Sequence, residues 1–440
     1  MQGNQYGGGG QPLQKKSRVE DDYTPKKRAV GQRPVDFFSS AIHHVKTRHY
    51  HSNTPFSYHV PPHAYFCKDL LPARVTIDNP STALCTQWVC TTAYPSNNNH
   101  ASVRVTFTVL EWSPDGRRLL CATSKGQFLV LDSHSFATDT KTTGHEGDIC
   151  CKAAAWGRVN GAILTADDSG AVKMWLYKST LVWEASFNTN HGGVNDLCYA
   201  PGEMKFATCG RDSSARIWDT DRAGASKTDA SLEEELKFEG HGSEVTSVHW
   251  HPFKALLLTG SGDTTTKLWD PRAGHGCIAT LSGHGEGVTT VRWNQNGYEF
   301  ITASKDGTVK LWDMRQVKES TSYVAHGKDG VMSVAWHPNH SSLFTSCGRD
   351  GSIHHWIRTP LEGQRGAGGV REVVRPTASI QLAHDRFKET VNPINKIAWS
   401  PMGHLLASCS GDVKFWHRNK PGATEESFKG SELDELDAIQ

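Results

Sequence analysis

Residues Gly283 to Asp313 read GHGEGVTTVRWNQNGYEFITASKDGTVKLWD. Three short apolar runs alternate at period two within this stretch, Val288 to Trp293, Glu299 to Ala303 and Thr308 to Trp312. Asn296-Gly297 separates the first pair and Asp306-Gly307 the second. Alternation bounded by Asn-Gly and Asp-Gly predicts antiparallel strands joined by tight hairpins. One such unit has an apolar surface on both faces, so it needs copies of itself on either side.

The copies are present. Gly-His or a variant recurs at His145, His191, His241, His284, His326 and His384. Trp-Asp or a variant recurs at Trp175, Trp218, Trp269, Trp312, Trp356 and Trp416, at intervals of 43, 51, 43, 44 and 60 residues. That start, stop and spacing are those of the WD40 repeat. A degenerate unit precedes them from Val103 to Asp132, with Trp112, the Asp115-Gly116 turn and a terminal Asp132. Six clear repeats and one degenerate repeat predict an all-β fold, a seven-bladed β-propeller. The last repeat ends at Trp416 with no outer strand after it, while Ala83 to Thr92 reads as a lone strand before the first. That strand is expected to complete the last blade and close the ring, removing exposed sheet edges.

The expected division is a disordered segment 1–22, a basic and aromatic arm 23–82 packed on the propeller, the propeller 83–422, and an acidic tail 423–440. Residues 1–22 are Gly/Gln-rich and offer little to bury. Residues 23–72 are too rich in Tyr, Phe, His and Pro for a free tail. The formal charge of the whole chain is +1, but the ends differ. Nine Lys or Arg face four acids in residues 1–50, and six acids face Lys429 in residues 424–440. This asymmetry suggests a basic arm for a polyanion. Insertions at 95–101, 221–235 and 359–377 lie between blades and are expected to be surface loops.

The eleven Cys show no CxxC pair and no metal-ligand spacing, so they read as small buried thiols, with no metal and no cofactor expected. No apolar run approaches the length of a membrane span and no signal-peptide core is visible, so neither secretion nor membrane insertion is expected.

Each repeat pairs a His with a later Asp: His145 with Asp168, His191 with Asp212, His241 with Asp263, His284 with Asp306, His326 with Asp350, and His384 with Asp412. A dyad repeated in every blade reads as scaffold rather than catalyst, the turn Asp accepting a hydrogen bond from a buried His. No nucleophile elbow or phosphate loop is present, so no enzymatic activity and no small-molecule substrate are expected. Lys26, Lys27, Arg28 and Arg33 lie beside Tyr23 and Phe37. Cations for phosphates beside aromatics for bases suit single-stranded nucleic acid. Lys15-Lys16-Ser17-Arg18 and Lys26-Lys27-Arg28 suit nuclear import equally well.

Several segments go beyond a generic repeat: EWSPDGRRLL (Glu111–Leu120), ILTADDSGAVKMW (Ile163–Trp175), KFATCGRDSSARIWD (Lys205–Asp219), HGSEVTSVHWHP (His241–Pro252), TKLWDPRAG (Thr266–Gly274) and FWHRNKPG (Phe415–Gly422). KRAVGQRPVDF (Lys27–Phe37) extends the pattern into the arm. Together they resemble the WD-repeat subunit of the cleavage and polyadenylation specificity factor, the family that includes the plant protein FY. The resemblance implies a nuclear, non-enzymatic subunit of messenger RNA 3′-end processing. It implies partners in a large multi-propeller scaffold subunit and a CCCH zinc-finger subunit, and contact with pre-mRNA at the polyadenylation signal, typically AAUAAA. It maps the family's RNA contacts onto Tyr23, Lys26, Lys27, Arg28, Arg33 and, approximately, Arg104. The family's aromatic and aliphatic base clamp falls on Thr138 and Lys141, with Phe136 the nearest aromatic. The competing reading is a protein-only adaptor of the ubiquitin-ligase or chromatin type, using the top face of the propeller.

Overall fold

The computed structural model describes residues 83–92, 105–145, 149–157, 161–177, 180–189, 191–220, 234–274, 276–315, 318–358, 376–381 and 393–418. Among the described residues, twenty-eight strands form seven four-stranded antiparallel sheets, the blades of a propeller. In chain order, blades one to six occupy 107–143, 151–188, 194–238, 245–281, 288–324 and 331–381. Blade seven takes its three inner strands from 396–418 and its outer strand from Cys85–Thr92.

The quoted stretch folds as its turns require. Strands Val288–Trp293, Glu299–Ser304 and Thr308–Asp313 are joined at Gly297 and Gly307, whose φ of 71° and 79° are open to glycine at little steric cost. The inner strand of each blade alternates between neighbouring blades and the channel, so it is only partly apolar. The second strand is flanked by blades on both sides, and Glu299–Ser304 and Leu343–Gly348 are buried along their whole length. Apolar clusters accordingly span blade boundaries. Ala207, Cys209 and Ile217 of blade three pack with Val245, Val248 and Trp250 of blade four.

A polar stitch joins inner strands around the channel. In five blades the residue after the first apolar position of the inner strand bonds to a carbonyl of the next blade. Thr108 Oγ1 donates to Cys151 O at 2.7 Å, Asn195 Nδ2 to Val245 O at 2.9 Å, and Thr246 Oγ1 to Val288 O at 2.7 Å. Thr289 Oγ1 donates to Val331 O and Asn395 Nδ2 to Phe107 O, both at 2.8 Å. The last of these joins blade seven to blade one.

The ring closes as expected. Cys85–Thr92 pairs antiparallel with Val413–Arg418, from Cys85 opposite Arg418 to Thr92 opposite Val413. Buried His355 of blade six also holds this strand, its Nε2 donating to Cys85 O at 3.0 Å.

Candidate nucleic-acid interface

Among the described residues, the His residues at the repeat starts belong to chains of four side chains. In blade three, Trp218 Nε1 donates to Thr208 Oγ1 at 2.8 Å, and that hydroxyl donates to His191 Nε2 at 2.8 Å. His191 Nδ1 then donates to Asp212 at 2.8 Å. The same chain joins Trp269, Thr259, His241 and Asp263, then Trp312, Thr302, His284 and Asp306, then Trp356, Ser346, His326 and Asp350. Burial pushes the Asp263 carboxyl up, but hydrogen bonds from Thr265, the Gly242 N–H and His241 outweigh it and hold the group at about 2. Asp350 is held at about 2 in the same way, and Asp212 and Asp306 are lowered further. Burial also lowers His241, against the pull of Asp263. In these four blades the imidazole and carboxylate are engaged with each other and with the turn.

One expected pair is different. His145 Nδ1 lies 2.9 Å from Asp167, not Asp168. Counted from the bonded Thr, blade two has Ser169 where blade five has Asp306, and Asp167 where blade five has Ser304. Ser169 Oγ donates to Asp167 at 2.6 Å, completing the turn in a permuted form. Asp168 instead meets Arg211 of blade three at 2.8 Å. His384 lies outside the described residues, and Asp412 is described without it.

Tyr23, Lys26, Lys27, Arg28, Arg33 and Arg104 also lie outside the described residues. Phe136, Thr138 and Lys141 are placed. The turn before the outer strand of blade one is tied by Ser135 N–H and Oγ to Asp132, at 3.0 and 2.8 Å, and by Phe136 N–H to Asp132 O at 2.8 Å. Phe136 takes φ 55°, and its ring lies 4.7 Å from that of Phe415 in the apolar seam between blades one and seven. Thr92 Oγ1 donates to Phe136 O at 3.3 Å across that seam. The ring of Phe136 is therefore a packing element, half-buried against blade seven.

Thr138 and Lys141 are exposed on the outer strand Thr138–Thr143. Three residues apart on a regular strand, they would face opposite ways. A register shift between Val130 and Leu131 sets Thr138 opposite Leu131 and Lys141 opposite Leu129, which returns both to one face. Asp139, at the shift, accepts from Arg118 Nε at 3.0 Å and Tyr177 Oη at 2.8 Å. The Arg118 guanidinium lies 4.7 Å from the Tyr177 ring centroid. The hydrogen bonds from Tyr177 and Arg118 lower the Asp139 carboxyl. This stacked cation beside Thr138 is not legible in the sequence, since Arg118 and Tyr177 belong to different repeats.

Comparison with known proteins agrees with the repeat pattern. The family "WD domain, G-beta repeat" matches residues 184–219, 232–270, 275–313, 317–356 and 383–417. Polyadenylation factor subunit 2 of Neurospora crassa is 32% identical over 445 residues, covering 96% of this chain and 61% of that protein. Polyadenylation factor subunit 2 of Gibberella zeae is 32% identical over 383 residues, covering 83% of this chain and 58% of that protein. The chain thus spans about three fifths of the length of these curated relatives.

Proposed function

We propose that this chain, similar to polyadenylation factor subunit 2 of Neurospora crassa over 96% of its length, is a non-catalytic scaffold and RNA-binding subunit of nuclear messenger RNA 3′-end processing. One observation carries the reading: the similarity to the Neurospora protein covers 96% of the chain, so it is not confined to the propeller segment 83–422. Generic repeat similarity has no reason to reach the arm. In this reading the propeller docks on a large multi-propeller scaffold subunit beside a CCCH zinc-finger subunit. The arm residues Lys26, Lys27, Arg28 and Arg33 grip pre-mRNA phosphates near the polyadenylation signal, with Tyr23 as a stacking aromatic and Arg104 as a further cation. Thr138 and Lys141 face the RNA from blade one.

The test is the salt dependence of RNA affinity for the chain and for a variant with Lys26, Lys27, Arg28 and Arg33 all changed to Ala. Affinity falls for every sequence alike, and the slope of log affinity against log salt shrinks by about 0.7 for each phosphate the arm no longer neutralises. Equal slopes refute the reading. An unrelated import signal fused to both chains separates RNA binding from nuclear delivery in cells.

A further inference from the structure

Blade six departs from its neighbours at one position. Two residues before the third-strand Trp, five blades carry a cation, Lys173, Arg216, Lys267, Lys310 and Lys414. Blade six carries His354. Its ring lies 4.6 Å from that of His326, centroid to centroid. The ligating atoms of His326, His354 and Asp350 all lie within 4.8 Å of one another. They converge on Ser352 Oγ, which is 3.0 Å from His326 Nδ1, 3.1 Å from His354 Nε2 and 2.7 Å from Asp350 Oδ2.

We infer that His326 Nδ1, His354 Nε2 and the Asp350 carboxylate form a binding site for a divalent transition-metal ion, zinc foremost. Two imidazoles and one carboxylate are a donor set that zinc accepts, with a fourth position left for water or another ligand. The serine hydroxyl stands where the three ligands meet, at hydrogen-bond rather than coordination distance. Rotation of Ser352 about χ1 frees that point, and a small inward movement of the ligands reaches the roughly 2.0–2.2 Å that zinc requires.

The surroundings already orient both rings. His354 Nδ1 is 2.8 Å from Ser379 Oγ, and with Nδ1–H donating there the Nε2 lone pair points into the site. His326 Nε2 is 2.9 Å from Ser346 Oγ. Hydroxyl partners on the far nitrogens fix both ring planes, as outer-shell groups do in metal sites. Gly348 keeps the space beside the ligands open, for a Cβ there would come within 2.5 Å of His326 Nδ1 and 2.8 Å of Asp350 Oδ1. Blade five has Ser304 at that place. Ligation through Nδ1 takes the other tautomer of His326: its one proton moves from Nδ1 to Nε2, and Ser346 Oγ turns from donor to acceptor.

The experiment uses the full chain, stripped with a chelator and titrated with zinc chloride by calorimetry, beside a His354→Lys variant. Lysine is the residue that four other blades hold at this position, so the variant keeps the repeat's own solution. The parent binds one more zinc ion per chain than the variant, and zinc raises the melting temperature of the parent by a larger amount. The difference cancels any other His or Cys that binds metal. Ser352→Ala retains the extra ion. Should the lysine chain melt early without metal, His354→Gln gives the same comparison. Equal zinc stoichiometry and equal thermal shifts in parent and variants overturn the site.

Discussion

Arg292 on the inner strand of blade five reaches Asp196 on the inner strand of blade three, Nη1 to Oδ2 at 3.2 Å. Ser247 of the intervening blade lies between them, donating to Asp196 Oδ2 at 2.7 Å and accepting from Arg292 Nη1 at 3.1 Å. Asp196 is 7% exposed, and Val248 N–H also points at it. Burial pushes its carboxyl up, but the charges of Arg292 and Lys396 outweigh burial and lower it. Three blades are pinned at one carboxylate. Removing it leaves Arg292 charged with no acceptor of like strength, a change that costs roughly 3–5 kcal/mol. Asp196→Ala is expected to lower the denaturant midpoint accordingly. Asp196→Ala with Arg292→Leu is expected to recover much of that stability. A single mutant as stable as the parent refutes the pin.

The second-to-third-strand turns give a test in the opposite direction. Blade five has Gly307 at φ 79°, whereas blade four has Thr264 at φ 69° in the same place. A β-branched residue in the left-handed region is strained. Thr264→Gly relieves that strain and, after the entropy glycine adds to the unfolded chain, leaves a gain of about 1 kcal/mol. Thermal melts of the two chains decide it, and a lower melting temperature for the glycine variant counts against the strain.

Acid sensitivity follows from His355. Its Nε2–H holds Cys85 O and its Nδ1 accepts from Thr345 Oγ1 at 2.9 Å, so both nitrogens are used in the neutral form. Burial lowers it to about 4, against the Cys85 carbonyl. An unfolded histidine titrates near 6.5, so below that pH the unfolded chain takes a proton that the folded chain refuses. Stability therefore declines as pH falls from about 6.5 to about 4, by at most about 3 kcal/mol from this group. Asp263 and Asp350, at about 2, withdraw their contribution only below the ordinary carboxylate range. Denaturation at pH 7.5, 6 and 5 shows the decline, and His355→Gln flattens it by one proton's share. An unchanged slope in that variant assigns the sensitivity elsewhere.

The fold is legible in the sequence because its signals are local. Asn296-Gly297 and Asp306-Gly307 set the hairpins within a few residues, and the Trp spacing repeats them. The closing strand is legible by elimination, since the last repeat lacks an outer strand of its own. Relations that join different repeats are not. Nothing in sequence spacing ties Asp196 to Arg292 or Arg118 to Tyr177, because the ring brings them together. The permuted turn of blade two escapes the spacing for a related reason. Two adjacent acids, Asp167 and Asp168, satisfy it equally, and only the hydrogen-bond geometry separates them.

The outer strand of blade one carries a last prediction, resting on the proposed RNA contact. The positions proposed for the base clamp, Thr138 and Lys141, are exposed and turned to one face by the register shift. Stacking a base on an aromatic is worth about 1–3 kcal/mol, and a Thr methyl offers a fraction of that surface. Lys141 favours phosphate, which positions RNA without reporting its sequence. Phe136 does not substitute, because its ring is packed 4.7 Å from Phe415. The chain, assembled with the proposed scaffold and zinc-finger subunits, is therefore expected to keep affinity and to discriminate weakly between AAUAAA and singly substituted RNAs. Thr138→Phe with Lys141→Ile restores an aromatic and an apolar wall on the same face, and selectivity rises. A parent that already discriminates by more than about 3 kcal/mol per base, beyond a good bidentate contact, ends the idea. So does a double mutant whose selectivity equals the parent's, because the reader then lies elsewhere on the molecule.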